Sequence, residues 1–116
     1  MKKLLILFFS FLFMSCANDS ESDLTGPVPI KISYNSDVKP IIQSNCLFCH
    51  TNPPQNGAPM SLVTLLDVRN AIENRGLLDR ISRPQGAPGM MPNGGTRLPQ
   101  TSIDIIIKWR DDGFLD

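Results

Sequence analysis

Histidine and cysteine are scarce in this chain, which has one histidine, His50, and three cysteines, Cys16, Cys46 and Cys49. A structural zinc site usually takes four nitrogen or sulfur ligands. Cys16 is assigned below to lipid modification at the N-terminus. Without it, the chain falls at least one ligand short of such a site. A lone cysteine and a close pair also do not resemble the framework of a disulfide-stapled secreted domain. These shortages argue against both kinds of scaffold.

Clustered charge and long hydrophobic segments are lacking as well. Eleven basic and eleven acidic residues are scattered along the sequence. The sequence therefore lacks the basic patch that is typical of nucleic-acid binding. The longest apolar run covers residues 4–13 and is broken only by Ser10, which is too short to span a bilayer as a stable helix. No internal repeat, catalytic triad, paired-carboxylate site or phosphate-binding loop is discernible, and the acidic residues are predicted to be surface groups.

What the sequence does contain is Cys-Leu-Phe-Cys-His at residues 46–50. Two cysteines separated by two residues and followed at once by histidine form the attachment signature of c-type haem. Thiols one helical turn apart can each bond a vinyl group on one edge of a porphyrin, and the histidine is then held beneath the iron as its proximal ligand. The pattern therefore predicts one covalent haem c on Cys46 and Cys49, with His50 as an iron ligand.

Other chemistry also uses a C-x-x-C pair. A redox dithiol usually lies in a thioredoxin-like βαβ context, which is not visible here. The pair can also form a disulfide, or supply half of a zinc site. Haem attachment is the favoured interpretation, and these three stay as alternatives.

Residues 1–15 have the organisation of a secretory signal peptide, with Lys2 and Lys3 before the apolar run and a polar chain after Cys16. The position of Cys16 resembles the bacterial lipoprotein signal, in which the new N-terminal cysteine is lipid-modified, although Phe13 stands where leucine is commoner. We predict an exported, membrane-anchored lipoprotein that faces the periplasm or the cell surface. An ordinary export signal with an incidental Cys16 is the alternative. Export agrees with haem c attachment, which takes place outside the cytoplasm.

The rest of the chain is predicted to divide into a lipidated N-terminus with a flexible tether, residues 16–32, and one domain, residues 33–116. Residues 18–29 are acidic, contain Ser, Pro and Gly and have few large apolar side chains, so they are not expected to order themselves. Without residues 1–15 the chain has nine basic and eleven acidic residues, a net charge of −2. A domain this small has a thin core and often recruits a cofactor or crosslink.

The domain is predicted to be all-α, with about three to four short helices and long loops around one covalent haem. Residues 35–37, Asn-Ser-Asp, are candidate caps of the first helix, and Pro40 is tolerated in its first turn. This helix should deliver residues 46–50 at its C-terminal end. Thr64 and Asp67 resemble a capping box for a second helix.

Gly76 can end the second helix in the left-handed conformation, and residues 77–81 can add a further helical turn. Thr101 or Ser102 is the candidate cap of the last helix, with Asp104 in its positive first turn and Gly113 as its stop. Trp109 is predicted to be a core residue that packs on the first helix.

Methionine supplies the candidates for a sixth iron ligand, which would raise the reduction potential and close the site to other ligands. Met60 lies in a stretch where methionine more often fills core space. Met90 and Met91 lie in a loop, residues 83–99, with four glycines and four prolines, which can bring a side chain across the haem face. We predict Met91, whose backbone Pro92 stiffens, with Met90 as the alternative. A five-coordinate haem with both methionines in core packing stays open.

Several motifs lie along the domain: D-V-K-P-I at residues 37–41, C-x-x-C-H at residues 46–50, M-P-x-G-G at residues 91–95, Leu98, and I-x-x-I-x-x-W-x-x-x-G at residues 103–113. Together they resemble a class I, single-haem cytochrome c domain, and especially the short lipoprotein cytochromes c of Bacteroidota-type bacteria. The resemblance covers residues 33–116. It implies a class I cytochrome c-like fold with His50 and Met91 as the axial ligands.

The resemblance also implies that a backbone carbonyl in the region of Pro53 and Pro54 orients the His50 ring. Arg80, Arg83 or Arg97 could pair with a haem propionate, and each is otherwise a solvated surface charge. We therefore predict an electron carrier, not an enzyme, that serves unidentified redox protein partners. An open-site haem enzyme or gas sensor, such as a small peroxidase, and a non-haem dithiol lipoprotein are the alternatives.

Overall fold

The computed structural model describes residues 29–116, and the predicted signal peptide, Cys16 and most of the predicted tether lie outside them. A π-helical turn, Tyr34–Val38, leads into the first of four α-helices in this part of the chain. The helices are α1 (Lys39–Asn45), α2 (Leu65–Asn74), α3 (Leu77–Ser82) and α4 (Gln100–Asp111). None of the described residues forms a β-strand, so the prediction of a small all-α domain with short helices is confirmed.

The first helical segment begins earlier than predicted, and its cap is Ser33 instead of residues 35–37. The Ser33 hydroxyl accepts a hydrogen bond from the Ser36 N–H at 3.4 Å, and the Asp37 carboxylate accepts one from the Ser33 N–H at 2.9 Å. Tyr34 and Val38 are both buried, so the chain gains apolar contacts by becoming helical one turn earlier. Pro40 lies in the first turn of α1, as predicted.

The start of α2 is closed by the predicted capping box. The Asp67 N–H donates to Thr64 Oγ1 at 3.1 Å, and the Thr64 N–H donates to Asp67 Oδ2 at 3.0 Å. Gly76 follows α2 with a φ of 69°, in the left-handed region that suits glycine. Because α3 begins directly after Gly76, both the predicted stop and the predicted further helical turn are confirmed.

The start of α4 differs from the prediction, since neither Thr101 nor Ser102 caps it. The carbonyl of Pro99 accepts hydrogen bonds from the N–H groups of Ser102 and Ile103 at 3.0 and 3.2 Å, so the helix already begins at Gln100. Proline has a fixed φ, here −53°, and turns the chain into the helix without a side-chain cap. Asp104 consequently lies beyond the first turn. Gly113, with a φ of 90°, follows the helix as predicted.

The core lies where α4 packs against the N-terminal helical segment. Trp109 is fully buried, with its ring 5.4 Å from that of Tyr34 and edge-on to that of Phe114 at 4.9 Å. Its indole N–H donates to the Leu115 carbonyl at 2.7 Å, and the Tyr34 N–H donates to the same carbonyl at 2.8 Å. The prediction that Trp109 is a core residue is confirmed, and its contacts join the two ends of the domain.

Residues 46–64 and 83–99 contain no helix, in agreement with the predicted long loops. Both loops face a single cavity, which the helices α1, α3 and α4 also line. No helix in residues 29–116 combines the length and the apolar content needed to cross a membrane.

Candidate cofactor-binding site

A cavity of about 680 Å³ brings together the residues that the sequence analysis assigned to haem. Cys46, Cys49, His50 and Met91 all line it. Cofactor sites in proteins commonly have volumes of roughly 300–1,000 Å³. The remaining walls are mainly apolar and include Ile42, Leu62, Leu77, Ile81, Leu98 and Ile106. The domain therefore surrounds a largely apolar space of cofactor size.

Cys46 and Cys49 lie in a tight turn at the end of α1. The N–H groups of Cys49 and His50 both donate to the Cys46 carbonyl, at 3.2 and 2.9 Å, which sets the two thiols one turn apart. Both thiols are free and partly buried. The helix thus delivers the C-x-x-C-H motif to the cavity, as predicted.

Burial raises the pKa of the Cys46 thiol to about 11. The group is therefore a protonated thiol at neutral pH. Reactive cysteines of dithiol oxidoreductases have a lowered pKa instead, because the thiolate is the nucleophile. The environment of Cys46 thus disfavours a role as the attacking thiol of a redox dithiol.

His50 is 8 % exposed, and a backbone carbonyl fixes the orientation of its ring. Its Nδ1 lies 2.8 Å from the Met60 carbonyl oxygen, the one side-chain hydrogen bond that His50 makes with the described residues. A proton on Nδ1 leaves Nε2 with a lone pair for a metal ion, which is the usual arrangement for a metal-bound histidine. His50 can therefore bind a metal ion through Nε2.

The prediction that a carbonyl near Pro53 and Pro54 orients His50 is wrong. The Leu62 N–H donates to the His50 carbonyl at 2.9 Å and so brings the segment that contains Met60 alongside the histidine. The Pro53 carbonyl instead accepts a hydrogen bond from the Thr51 hydroxyl at 2.8 Å. The contact between the His50 ring and the Met60 carbonyl has no local signal in the sequence.

The two adjacent methionines line different cavities. Met91 lines the large cavity with His50, whereas Met90 is buried beside a smaller cavity of about 360 Å³ within its own loop. The Met91 N–H donates to the Arg80 carbonyl at 3.1 Å, which ties the methionine to α3. Met60 also lines the large cavity, on the wall where its carbonyl contacts His50. Of the two alternatives, Met91 is the one that lines the same cavity as His50.

The cavity carries a positive charge on its walls. Arg75 and Arg80 line it, and no aspartate or glutamate does so among the described residues. Guanidinium groups bind carboxylates in a bidentate way, so this pair suits a ligand with carboxylate groups. Arg75 follows the end of α2, and nothing in the sequence indicated that it would reach the cavity.

Arg83 and Arg97, the other two candidates for a propionate, do not line the cavity. Arg83 forms an ion pair with Asp79 at 2.6 Å, and Arg97 donates to backbone carbonyls of the loop at residues 83–99. Both arginines bond within the fold, and of the three candidates Arg80 is the one that lines the cavity.

Taken together, the lining could hold a haem c. Two thiols are available for covalent attachment, an imidazole and a thioether are available for the iron, and two guanidinium groups are available for the propionates. Within residues 29–116, no group of three or more His, Cys, Asp or Glu side chains could hold a metal ion. Comparisons of the chain with protein-family models, curated proteins and solved structures found no match.

Proposed function

We propose that this protein is a class I cytochrome c that carries one electron at a time on a single covalent haem c. The observation that supports the proposal is that one apolar cavity is lined by both cysteines of the C-x-x-C-H motif, by its histidine and by Met91 from a distant loop. Cys46 and Cys49 would hold the cofactor covalently, and His50 and Met91 would bind its iron. When bound, haem supplies a reversible one-electron couple.

The residues around the cavity have three roles in this function. The Met60 carbonyl holds the His50 ring in one tautomer and increases the basicity of its free nitrogen. The apolar walls exclude water and favour the less charged state of the iron, while a thioether ligand raises the reduction potential further. Arg75 and Arg80 lie on the cavity wall, where they can neutralise the propionates.

We also propose that the domain is displayed by a lipid anchor at Cys16, through a tether that ends near residue 32. The support is the signal-peptide pattern of residues 1–15 and the small-residue, polar composition that follows it. The partners are then redox proteins that face the periplasm or the cell surface. Membrane association is through the lipid.

The placement of the side chains favours the carrier over the two rival functions. An open-site haem enzyme or gas sensor requires Met91 to stay away from the iron, whereas Met91 lines the same cavity as His50. A non-haem dithiol requires a reactive thiol, whereas the Cys46 thiol has a raised pKa.

Haem staining of a denaturing gel tests the covalent attachment. The full chain is exported in a host that matures c-type cytochromes, and the Cys46→Ala, Cys49→Ala double variant is the comparison. We expect the wild-type band to stain and the double variant to lose the stain, because only covalent haem survives denaturation. An unstained wild-type band from cells that mature another c-type cytochrome would contradict the proposal.

A further inference from the structure

The loop that carries Met91 is closed by the side chain of Gln85. Its amide oxygen accepts the Arg97 N–H at 2.7 Å, and its amide nitrogen donates to the Gly95 carbonyl at 3.0 Å. One side chain at the start of the loop thus bonds to the backbone at two points near its end. Met91 lies between Gln85 and these two points in the sequence.

Arg97 strengthens the same closure. Its Nε donates to the Arg83 carbonyl at 3.1 Å, its Nη1 donates to the Leu98 carbonyl at 3.2 Å and its Nη2 donates to the Gln100 side chain at 2.8 Å. No carboxylate pairs with Arg97 among the described residues, and it does not line the large cavity. Its guanidinium group therefore serves the backbone of the loop and not the cofactor.

The closure adds to two other side-chain contacts, from Arg80 to the Gly89 carbonyl and from Arg83 to the Pro88 carbonyl, which hold the loop before Met91. Residues 83–97 contain no helix and include four glycines, whose backbones are the most costly to order. On the N-terminal side of Met91, those two contacts are joined by the hydrogen bond from the Met91 N–H to the Arg80 carbonyl. On its C-terminal side, the hydrogen bonds that residues 92–97 make with other parts of the domain are those of Gln85 and Arg97. The backbone that follows Met91 therefore depends on these two residues.

We propose that Gln85 and Arg97 are positioning residues that hold Met91 at the cavity and so set how often its thioether leaves the iron. This inference rests on the proposed function, in which Met91 is an axial ligand. An external ligand such as imidazole can bind the ferric iron only after the thioether has left. A looser loop should therefore admit imidazole faster while leaving the haem attached.

The experiment is stopped-flow binding of imidazole to the ferric, haem-loaded protein. The variants are Arg97→Ala, Arg97→Lys and Gln85→Ala. Arg110→Lys is the matched control, because Arg110 is exposed on α4 and pairs only with its neighbour Asp111. Helical circular dichroism and the near-infrared band of methionine-ligated ferric haem are recorded for each protein.

Arg97→Ala and Gln85→Ala are expected to bind imidazole about tenfold faster than the wild type, which corresponds to about 1.4 kcal/mol. Arg97→Lys should fall between Arg97→Ala and the wild type, since one ammonium group can satisfy part of the acceptor set. Arg110→Lys should stay within about twofold of the wild type. A Gln85→Ala, Arg97→Ala double variant should be faster by less than the product of the single effects, because both side chains close the same loop.

Two results would overturn the inference in distinguishable ways. If the wild type shows the methionine band but Gln85→Ala and Arg97→Ala bind imidazole as slowly as Arg110→Lys, the loop crosslinks do not position Met91 and the proposed function stands. If the wild type lacks the band, Met91 is not the ligand, and the inference fails together with the ligation part of the proposed function. If Arg97→Ala does not fold, the Gln85→Ala variant, at an exposed position, decides the outcome.

Discussion

His50 and Met91 are held at the cavity by backbone hydrogen bonds. The His50 ring bonds to the Met60 carbonyl at 2.8 Å, and the Met91 N–H bonds to the Arg80 carbonyl at 3.1 Å. The sequence could indicate both side chains, because a fixed motif marks the histidine and a Gly- and Pro-rich loop marks the methionine. It could not indicate Met60 or Arg80 as their partners, since these contacts arise only when distant loops pack together.

The charge on Arg80 leads to a prediction about the reduction potential. Because Arg80 lines the cavity, its cation favours the reduced and less positive state of a bound haem. A charge near a partly exposed site has an effect of about 1 kcal/mol. Arg80→Gln should therefore lower the potential by about 40 mV, since a tenfold change in a one-electron equilibrium is about 59 mV.

The control for this measurement is Arg110→Gln. Arg110 is exposed on α4, pairs with its neighbour Asp111 and does not line the cavity. Redox titration of both variants should show a shift for Arg80→Gln alone. Equal shifts for the two would contradict the assignment of Arg80 to the cofactor.

At the scale of elements, the helix starts were predictable where one local side-chain pair determines them. Thr64 and Asp67 have the spacing of a capping box, and α2 begins there. The first and last helices begin elsewhere, at a π-helical turn capped by Ser33 and directly after Pro99. In the first case the burial of Tyr34 against Trp109 favours an earlier start, and tertiary contacts of this kind are not visible in a local pattern.

Asp67 gives the capping box a dependence on pH. Burial raises the pKa of its carboxyl, but hydrogen bonds from Thr64, Ser61 and the Val63 N–H outweigh that effect and bring the pKa below its usual value. A carboxyl with a lowered pKa in the folded state stabilises the fold above its unfolded pKa. This stabilisation is lost as the pH falls through the folded pKa.

We therefore expect Asp67→Asn to destabilise the domain near pH 7 by about 1 kcal/mol, the usual contribution of a helix cap. The difference between variant and wild type should shrink as the pH falls below the usual range of an aspartate. Thermal unfolding of the two proteins from neutral to acidic pH measures it. Asp104→Asn is the matched control, because Asp104 is exposed and accepts only from Gln100. A difference that grows on acidification would contradict the account.

At the scale of the whole molecule, one hydrophobic core contains both the aromatic cluster around Trp109 and apolar residues that line the cofactor-sized cavity. Trp109 closes the core by joining Tyr34 and Phe114, whereas Ile106, one turn before it, already lines the cavity. The periodicity of the last helix predicted a buried apolar face. It could not show that residues of this face both pack in the aromatic cluster and line the cavity. Arg75 was missed for the same reason, because the direction of a residue just after a helix depends on how the helices pack.

The most direct test of the central claim is the absorption spectrum of the haem-loaded protein, oxidised and reduced, for the wild type and for Met91→Ala and Met90→Ala. We expect the wild type and Met90→Ala to show the near-infrared band of methionine-ligated ferric haem, and Met91→Ala to lack it. Met91 lines the cavity with His50, whereas Met90 lines the smaller cavity in the loop. A high-spin wild-type spectrum with ready binding of carbon monoxide or peroxide would contradict the account and indicate an open iron.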